Sequence, residues 1–254
     1  MPARAGRREQ IMNHMDTPYV LDIHTHTLMS GHAYGTIREM AKAAAEAGLA
    51  VLGISEHGPG TPGTCNPLYF LNLNVVPKQL YGVRLLHGCE INVRNDGKLW
   101  LEQRYLDRLD YGIVGIHGIC YENAGKKKNT QNLILCMQNE KIRFVSHPDD
   151  GNMPLDYELL VAAAKEYHVA LEVNNSSLLR ADRLDCIQNY QTMLTFCERL
   201  RVPVVVSSDA HDPDSVGRFD KARRLLRQMD FDEELILNTG AEKLLAHLAP
   251  VQAL

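Results

Sequence analysis

The chain has 254 residues, enough for one large domain or two small ones, and close to the usual size of a single α/β barrel. Apolar residues make up 45% and charged residues 23%, which excludes disordered, collagen-like and fibrous classes. The 27 basic and 31 acidic residues leave a net charge of −4, without the Lys/Arg clustering that counterion release on nucleic acid requires.

No apolar run reaches the roughly 18 residues of a membrane span, so neither long nucleic acid nor a membrane is an expected partner. Arg4, Arg7 and Arg8 precede no apolar stretch with a small-residue cleavage site, which argues against a secretory signal. The six cysteines, at 65, 89, 120, 136, 186 and 197, are scattered and form no C-x-x-C. They read as small buried hydrophobes in a reducing compartment, so a cytoplasmic location is expected.

In chain order, residues 1–17 lack periodicity and read as a loose tail, followed by one domain over 18–254. Short aliphatic runs predict strands at Tyr19–Ile23, Val51–Ile54, Val83–Leu86, Tyr111–Ile116, Ile142–Val145, Val169–Val173 and Val202–Val206. Helical patterns alternate with them: Thr36–Ala47, with Gly48 placed as a cap, then Thr130–Gln138, Leu155–Tyr167, Leu184–Arg201 and Asp214–Met229. Gly58–Asn74 reads as a long loop, of the size that is usually functional, and Ala241–His247 as a closing helix. Apolar strands alternating with amphipathic helices predict a parallel sheet covered by helices, in seven units.

The chemistry sits where the strands end. The first run ends in Asp22-Ile23-His24-Thr25-His26, the second in Ser55-Glu56-His57, the third reaches Glu90, the fourth His117 and the fifth His147. The sixth gives Glu172 and Asn174, and the seventh Ser207-Ser208-Asp209-Ala210-His211. In a parallel α/β barrel these ends converge on one face. Seven of the eleven histidines, at 24, 26, 32, 57, 117, 147 and 211, belong to this set. His24 and His26 are two apart on a strand and so point to one side. Imidazole and carboxylate suit Zn²⁺, Mn²⁺ or Fe, and nine candidate donors exceed what one tetrahedral ion needs. A bridging carboxylate such as Glu90 allows two ions about 3.5–4 Å apart. His14, His87, His168 and His247 are expected to be structural or solvated.

Weaker patterns resolve against other chemistries. Gly58 to Gly63 fits G-x-G-x-x-G, but Pro59 and Pro62 lack the N–H groups a pyrophosphate loop presents, and no amphipathic helix follows. There is no G-x-S-x-G, and Cys89 to Arg94 is one residue short of C-x₅-R. Lys126-Lys127-Lys128 reads first as a solvated run, with a basic lip for an anionic substrate as the alternative. The same two readings apply to Arg180 and Arg183.

Taken together, His24-x-His26, His32, Glu56-His57, Glu90, His117, His147-Pro148 and Ser208-Asp209-Ala210-His211 resemble the PHP (polymerase and histidinol phosphatase) family. The spacing is most similar to its small bacterial phosphatases of the YcdX type, from about Tyr19 to Leu248. The resemblance implies a distorted (β/α)7 TIM-like barrel with a trinuclear centre of divalent ions (Zn, Mn or Fe). By position, His24, His26, Glu90 and Asp209 would hold the first ion, and Glu90, His117 and His147 the second. His32, His57 and His211 would hold the third. Glu56 departs from the Asp that the family often has before this histidine, which puts an orienting role in question.

The expected function is a metal-dependent phosphatase hydrolysing a small phosphomonoester through a hydroxide bridging the first two ions, with Glu90 and Asp209 as catalytic residues. Alternatives are a nucleotide phosphodiesterase or exonuclease-like enzyme, a histidinol phosphatase, and a metal-binding regulatory module without catalysis. No organic cofactor is implied, and a homo-oligomer is compatible with the resemblance.

Overall fold

The computed structural model describes residues 17–250. The remainder of the expected tail, with His14, lies outside the described residues.

The elements follow in order as β1 (Leu21–Thr25), α1 (Ile37–Glu46), β2 (Val51–His57), α2 (Leu68–Leu71), β3 (Gln79–Leu80) and β4 (Val83–Asn92). Then come α3 (Gln103–Leu106), β5 (Tyr111–Gly115), α4 (Lys126–Met137), β6 (Ile142–Val145), α5 (Tyr157–Glu166) and β7 (Ala170–Asn174). The chain closes with α6 (Cys186–Leu200), β8 (Val204–Ser207), α7 (Asp220–Gln228) and α8 (Ala241–Leu248). Seven strands pair in parallel in the order β1-β2-β4-β5-β6-β7-β8, and the short β3 pairs antiparallel with β4. The seven predicted units are all present.

The sheet curls until β1 meets β8. At the mouth the seam is backbone to backbone: Thr25 bridges Ala210, and His26 N donates to Ala210 O at 2.8 Å. At the far end it is closed by one side chain. Asn238 Nδ2 donates to Leu21 O (2.9 Å) on β1 and to Val206 O (2.7 Å) on β8, while its Oδ1 accepts from Val206 N (2.7 Å). An amide presents a donor and an acceptor together, which is what two unpaired strand edges require.

Two apolar clusters follow from the alternation of side chains along the strands. The larger lies between sheet and helices, with Leu52, Ile54, Ile91, Val114, Leu171 and Val206 facing Met40, Leu133, Leu160 and Leu194. The smaller fills the barrel: Leu21, Ile23, Leu86, Tyr111, Ile113, Phe144 and Val205, with Leu237 and Leu244 plugging the far end. Tyr111 crosses the interior to donate from its hydroxyl to Ile23 O at 2.6 Å. A Cβ on Gly53 would stand 2.0 Å from that hydroxyl, so only glycine fits there.

Local chemistry sets the element ends. Thr36 and Glu39 form a reciprocal capping box on α1, and Gly48 follows its end at φ +75°. Five expectations shift, the first being the second run, which continues as β2 to His57. The third run extends as β4 through Glu90 to Asn92, and Gly58–Asn74 contains the short helix α2. The helix expected from Thr130 begins at Lys126. The pattern Asp214–Met229 is interrupted: Gly217 takes φ +72° and its N–H turns to Asp22 (3.1 Å), so α7 starts at Asp220.

Candidate metal centre

All nine predicted donors reach the barrel mouth, and the backbone takes special measures to bring five of them there. Leu21 and Ile23 both belong to the interior cluster, so strict alternation would turn His24 and His26 outward. The pairing of β1 with β2 instead shifts register between Asp22 and Thr25. That irregularity resets the alternation, and both imidazoles turn in. His147 follows β6 at φ +27° and Asp209 follows β8 at φ +54°, left-handed conformations that non-glycine residues adopt only when the surroundings hold them. His32 comes from the turn after β1. There Gly31, at φ +85°, packs so closely on Gly63 that an added Cβ would lie 2.2 Å from a carbonyl oxygen. That contact brings the His32 turn against the loop after His57.

Glu90, buried at the end of β4, is the hub. Its Oε1 lies 2.8 Å from His147 Nε2 and 3.1 Å from His117 Nε2. Its Oε2 lies 2.9 Å from His57 Nδ1, 3.3 Å from His24 Nε2 and 3.7 Å from His26 Nε2. Asp209 Oδ1 stands opposite, 3.2 Å from His26 Nε2 and 3.6 Å from His24 Nε2. At the lip, His211 Nε2 and His32 Nε2 approach to 3.1 Å, and the His32 ring stacks on His57 with centroids 4.9 Å apart. Three sets have ligand atoms mutually within 4.8 Å: His24, His26 and Glu90; His57, Glu90 and His117; His26, His57 and His211.

The donors fit a metal. His24 Nε2, His26 Nε2 and His57 Nδ1 are buried, turned toward the carboxylates and without a hydrogen bond, a costly state for polar atoms unless a cation binds there. Burial works against ionised carboxylates, yet His117, His24 and His57 hold Glu90 well below the usual carboxylate range. His24 and His26 do the same for Asp209 against the same burial effect. Burial and the neighbouring His57 keep His26 neutral, its pKa well below the ordinary value. For His24, Glu172, Glu90 and Asp209 overcome burial and raise the pKa well above that value, so this ring sits where positive charge is favoured. Ionised carboxylates and neutral imidazoles are the ligand forms of these groups.

Sequence reasoning did not identify what backs these donors. Glu172 was among the strand-end groups but outside the nine; its Oε1 accepts from His24 Nδ1 at 2.7 Å and its Oε2 from His147 N at 2.6 Å. Asn92 Oδ1 accepts from His117 Nδ1 at 2.6 Å. Ser30 Oγ lies 3.0 Å from His26 Nδ1 and donates to Glu56 Oε2 at 2.6 Å. Glu56 also accepts from Thr27 N (3.1 Å) and Thr27 Oγ1 (2.5 Å), so the Glu in place of Asp orients His26 through Ser30. The signal available for Ser30, Asn92 and Glu172 was only their place beside the histidine-bearing strand ends.

A cavity of about 530 Å³ opens over the cluster, lined beyond the donors by Thr61, Pro62, Ile116, Ile119, Arg180 and Arg183. Arg183 is 11% exposed; its Nη1 donates to His147 O (3.3 Å) and Asp149 Oδ1 (3.2 Å), and Tyr190 OH donates to the same Asp149 oxygen. Lys126, Lys127 and Lys128 are exposed on the first turn of α4 and do not line this cavity. His87 faces the helix layer, and the His168 and His247 rings meet at a tilt (4.7 Å) where Arg143 O approaches His247 Nε2, away from the mouth.

An α/β barrel with a histidine–carboxylate cluster at its C-terminal mouth is the class this geometry defines. Comparison with known proteins narrows it: residues 22–176 match the PHP domain, and the chain belongs to the PHP family. A probable phosphatase of Clostridium novyi is 39% identical over 231 residues, covering 91% of this chain and 94% of the relative. A probable phosphatase of Acetivibrio thermocellus is 39% identical over 226 residues, 89% and 93% of the two chains. Among solved structures, histidinol phosphate phosphatase from Lactococcus lactis, complexed with zinc, L-histidinol and phosphate, superposes with a TM-score of 0.59 at 18% identity. It covers 84% of this chain and 95% of that one. A chain of archaeal ribonuclease P with mature tRNA shares the fold at a TM-score of 0.57 and 13% identity, covering 90% and 89%.

Proposed function

We propose that this PHP-family phosphatase hydrolyses small phosphomonoesters at a centre of three divalent ions. The observation that carries the reading is the convergence of nine donors on one mouth, with three buried ring nitrogens left without a hydrogen bond beside Glu90 and Asp209. In this reading His24, His26, Glu90 and Asp209 hold the first ion, and Glu90, His117 and His147 the second. His32, His57 and His211 hold the third at the lip. Such ions supply Lewis-acid polarisation of phosphoryl oxygens and lower the pKa of water.

The chain's own residues do the rest. Arg183, fixed by Asp149, and Arg180 at the rim offer guanidinium donors to the non-bridging phosphoryl oxygens. Ile116, Ile119 and Pro62 form an apolar wall for the organic part of the substrate. Overall, a water oxygen bonds to phosphorus, the ester P–O bond breaks, and the departing alkoxide takes up a proton. Asp209, a carboxylate lining the cavity, is placed to relay the proton released by water. The nitrogen-rich donor set suits Zn²⁺, Mn²⁺ or Fe; the zinc-containing Lactococcus enzyme supports starting with zinc.

The net negative charge and a confined cavity disfavour long nucleic acid but admit a mononucleotide. Histidinol phosphate belongs in the first substrate panel because the Lactococcus structure holds L-histidinol and phosphate. The test is phosphate release from an aryl phosphate and from a panel of phosphorylated metabolites, with protein loaded separately with each metal. Release by the wild type and its loss on chelation is the expected result. No hydrolysis with any of the three metals would refute the reading in favour of a regulatory metal-binding module.

A further inference from the structure

Glu172 occupies the inner face of β7 and is 1% exposed, yet no contact places it among the ion donors. Each of its partners is a donor. Oε1 accepts from His24 Nδ1 (2.7 Å), and Oε2 accepts from His147 N (2.6 Å) and from Asn174 Nδ2 (3.1 Å). Asn174 Nδ2 also reaches Asp209 Oδ2 at 3.2 Å. One carboxylate therefore touches a side chain assigned to the first ion and the backbone of a residue assigned to the second. We propose that Glu172 is a positioning residue shared by both ion sites, fixing the His24 ring through one oxygen and the His147 main chain through the other. This inference rests on the ion assignment made above.

The chemistry requires both oxygens to accept. With its proton on Nδ1 and directed at Glu172, the neutral His24 ring would offer Nε2 to an ion held beside Glu90 and Asp209. His147 enters the mouth only because its φ is +27°, a conformation the surroundings must hold, and its amide is held by Glu172. Replacing the carboxylate by an amide of the same shape fails on one side or the other. If the glutamine NH₂ faces His24, the ring must accept at Nδ1, which leaves its proton on Nε2 and removes it as a ligand. If the NH₂ faces the other way, it meets the His147 and Asn174 donors head-on.

The experiment strips the full-length protein of metal and titrates it with Zn²⁺ against a chromophoric chelator. Stoichiometry, stepwise affinities and the melting temperature of the metal-free protein are measured for the wild type, Glu172→Ala, Glu172→Gln and Glu172→Asp. Glu172→Ala removes both acceptors, so two of the ions weaken by about 10–100-fold each, the usual size of losing an outer partner of a ligand, and the third is unchanged. Glu172→Gln fails on one side only, and Glu172→Asp, on an arm one methylene shorter, can serve only one of its two principal partners, so in each of these one ion weakens and the other does not. These two variants carry the test if the alanine variant does not fold. A lower metal-free melting temperature with wild-type ion affinities in all variants overturns the proposal by reducing Glu172 to a structural residue. Weakening of a single ion in Glu172→Ala also overturns it. A wild type that binds no Zn²⁺ overturns the ion assignment itself, a result distinct from either of these.

Discussion

Asn238 offers the sharpest test of how the barrel is closed. Its side chain is completely buried and makes three hydrogen bonds, to Leu21 O, Val206 O and Val206 N, across the edge between β1 and β8. Asn238→Ala removes all three and leaves three backbone groups facing a gap of amide size. A buried group stranded in this way costs about 1–3 kcal/mol, and water entering the gap brings each toward the lower figure. The expected loss is about 3–5 kcal/mol, a large share of the roughly 5–15 kcal/mol of a typical domain. Urea unfolding of the metal-free protein measures it, with the midpoint falling and the slope unchanged. Asn238→Asp should be at least as damaging near neutral pH, because a carboxylate cannot donate to two carbonyls. The mouth end of the seam, Thr25 to Ala210, is independent backbone pairing. Folded Asn238→Ala protein saturated with metal should therefore keep its turnover within about tenfold. A stability loss below about 1 kcal/mol would show that the seam is held elsewhere and refute the argument.

Four further outcomes follow from the site and its supports. Glu90→Gln should abolish activity and lower occupancy of two ions, whereas His32→Ala should cost roughly 10²–10³ in turnover, the size of losing one electrostatic stabiliser, and about one ion; full metal content and wild-type turnover in His32→Ala would make His32 an ordinary loop residue. Replacing Lys126, Lys127 and Lys128 by Gln should leave KM unchanged at low ionic strength, because they lie off the cavity lining; a KM increase that shrinks with salt would restore the basic lip. Asp22 is pushed up to about 6 by burial, against hydrogen bonds from Ser208 and Gly217. Its folded pKa is above the ordinary 3.8, so its contribution is full below about pH 4 and lost as pH rises through about 6; the stability difference between wild type and Asp22→Asn should change across that window, and a flat difference would count against it. Glu56→Asp shortens the arm that reaches Ser30 and Thr27, and should weaken zinc binding about 10–100-fold through His26; unchanged affinity in a chelator titration would return Glu56 to a packing role.

The strands were legible because β-branched runs on a doubly covered parallel sheet leave a nearly unbroken apolar signal. The nine candidate donors were legible because they gather at or just after the strand ends, three following the first run, two the seventh and one each the second to fifth. What stayed hidden depends on geometry that composition does not encode. The third run looked finished at Leu86, since His87, Gly88 and Glu90 break its apolar character, although all three lie within β4. The break before α7 depends on the Gly217 N–H preferring Asp22, nearly two hundred residues earlier, to a helical partner. The equal inward aim of His24 and His26 was anticipated from their spacing, but their turning to the same side as Ile23 requires the register shift in β1. Glu172 looked like one more donor. Only its distances show that it backs two of them.

The barrel floor beneath the cluster has a consequence for traffic. Tyr111, Phe144, Leu237 and Leu244 fill the interior below the donor cluster, and α8 stands under them. On the proposed reading, substrate, products and ions therefore share the mouth as their common passage. Anything seated over the cluster blocks the exit of what lies beneath it. In the proposed reaction, orthophosphate left behind after the alcohol departs would act as a stopper, excluding the next substrate and retaining the ions. Stripping by a chelator should slow as phosphate is raised, at constant ionic strength, because the chelator has to wait for the phosphate to leave.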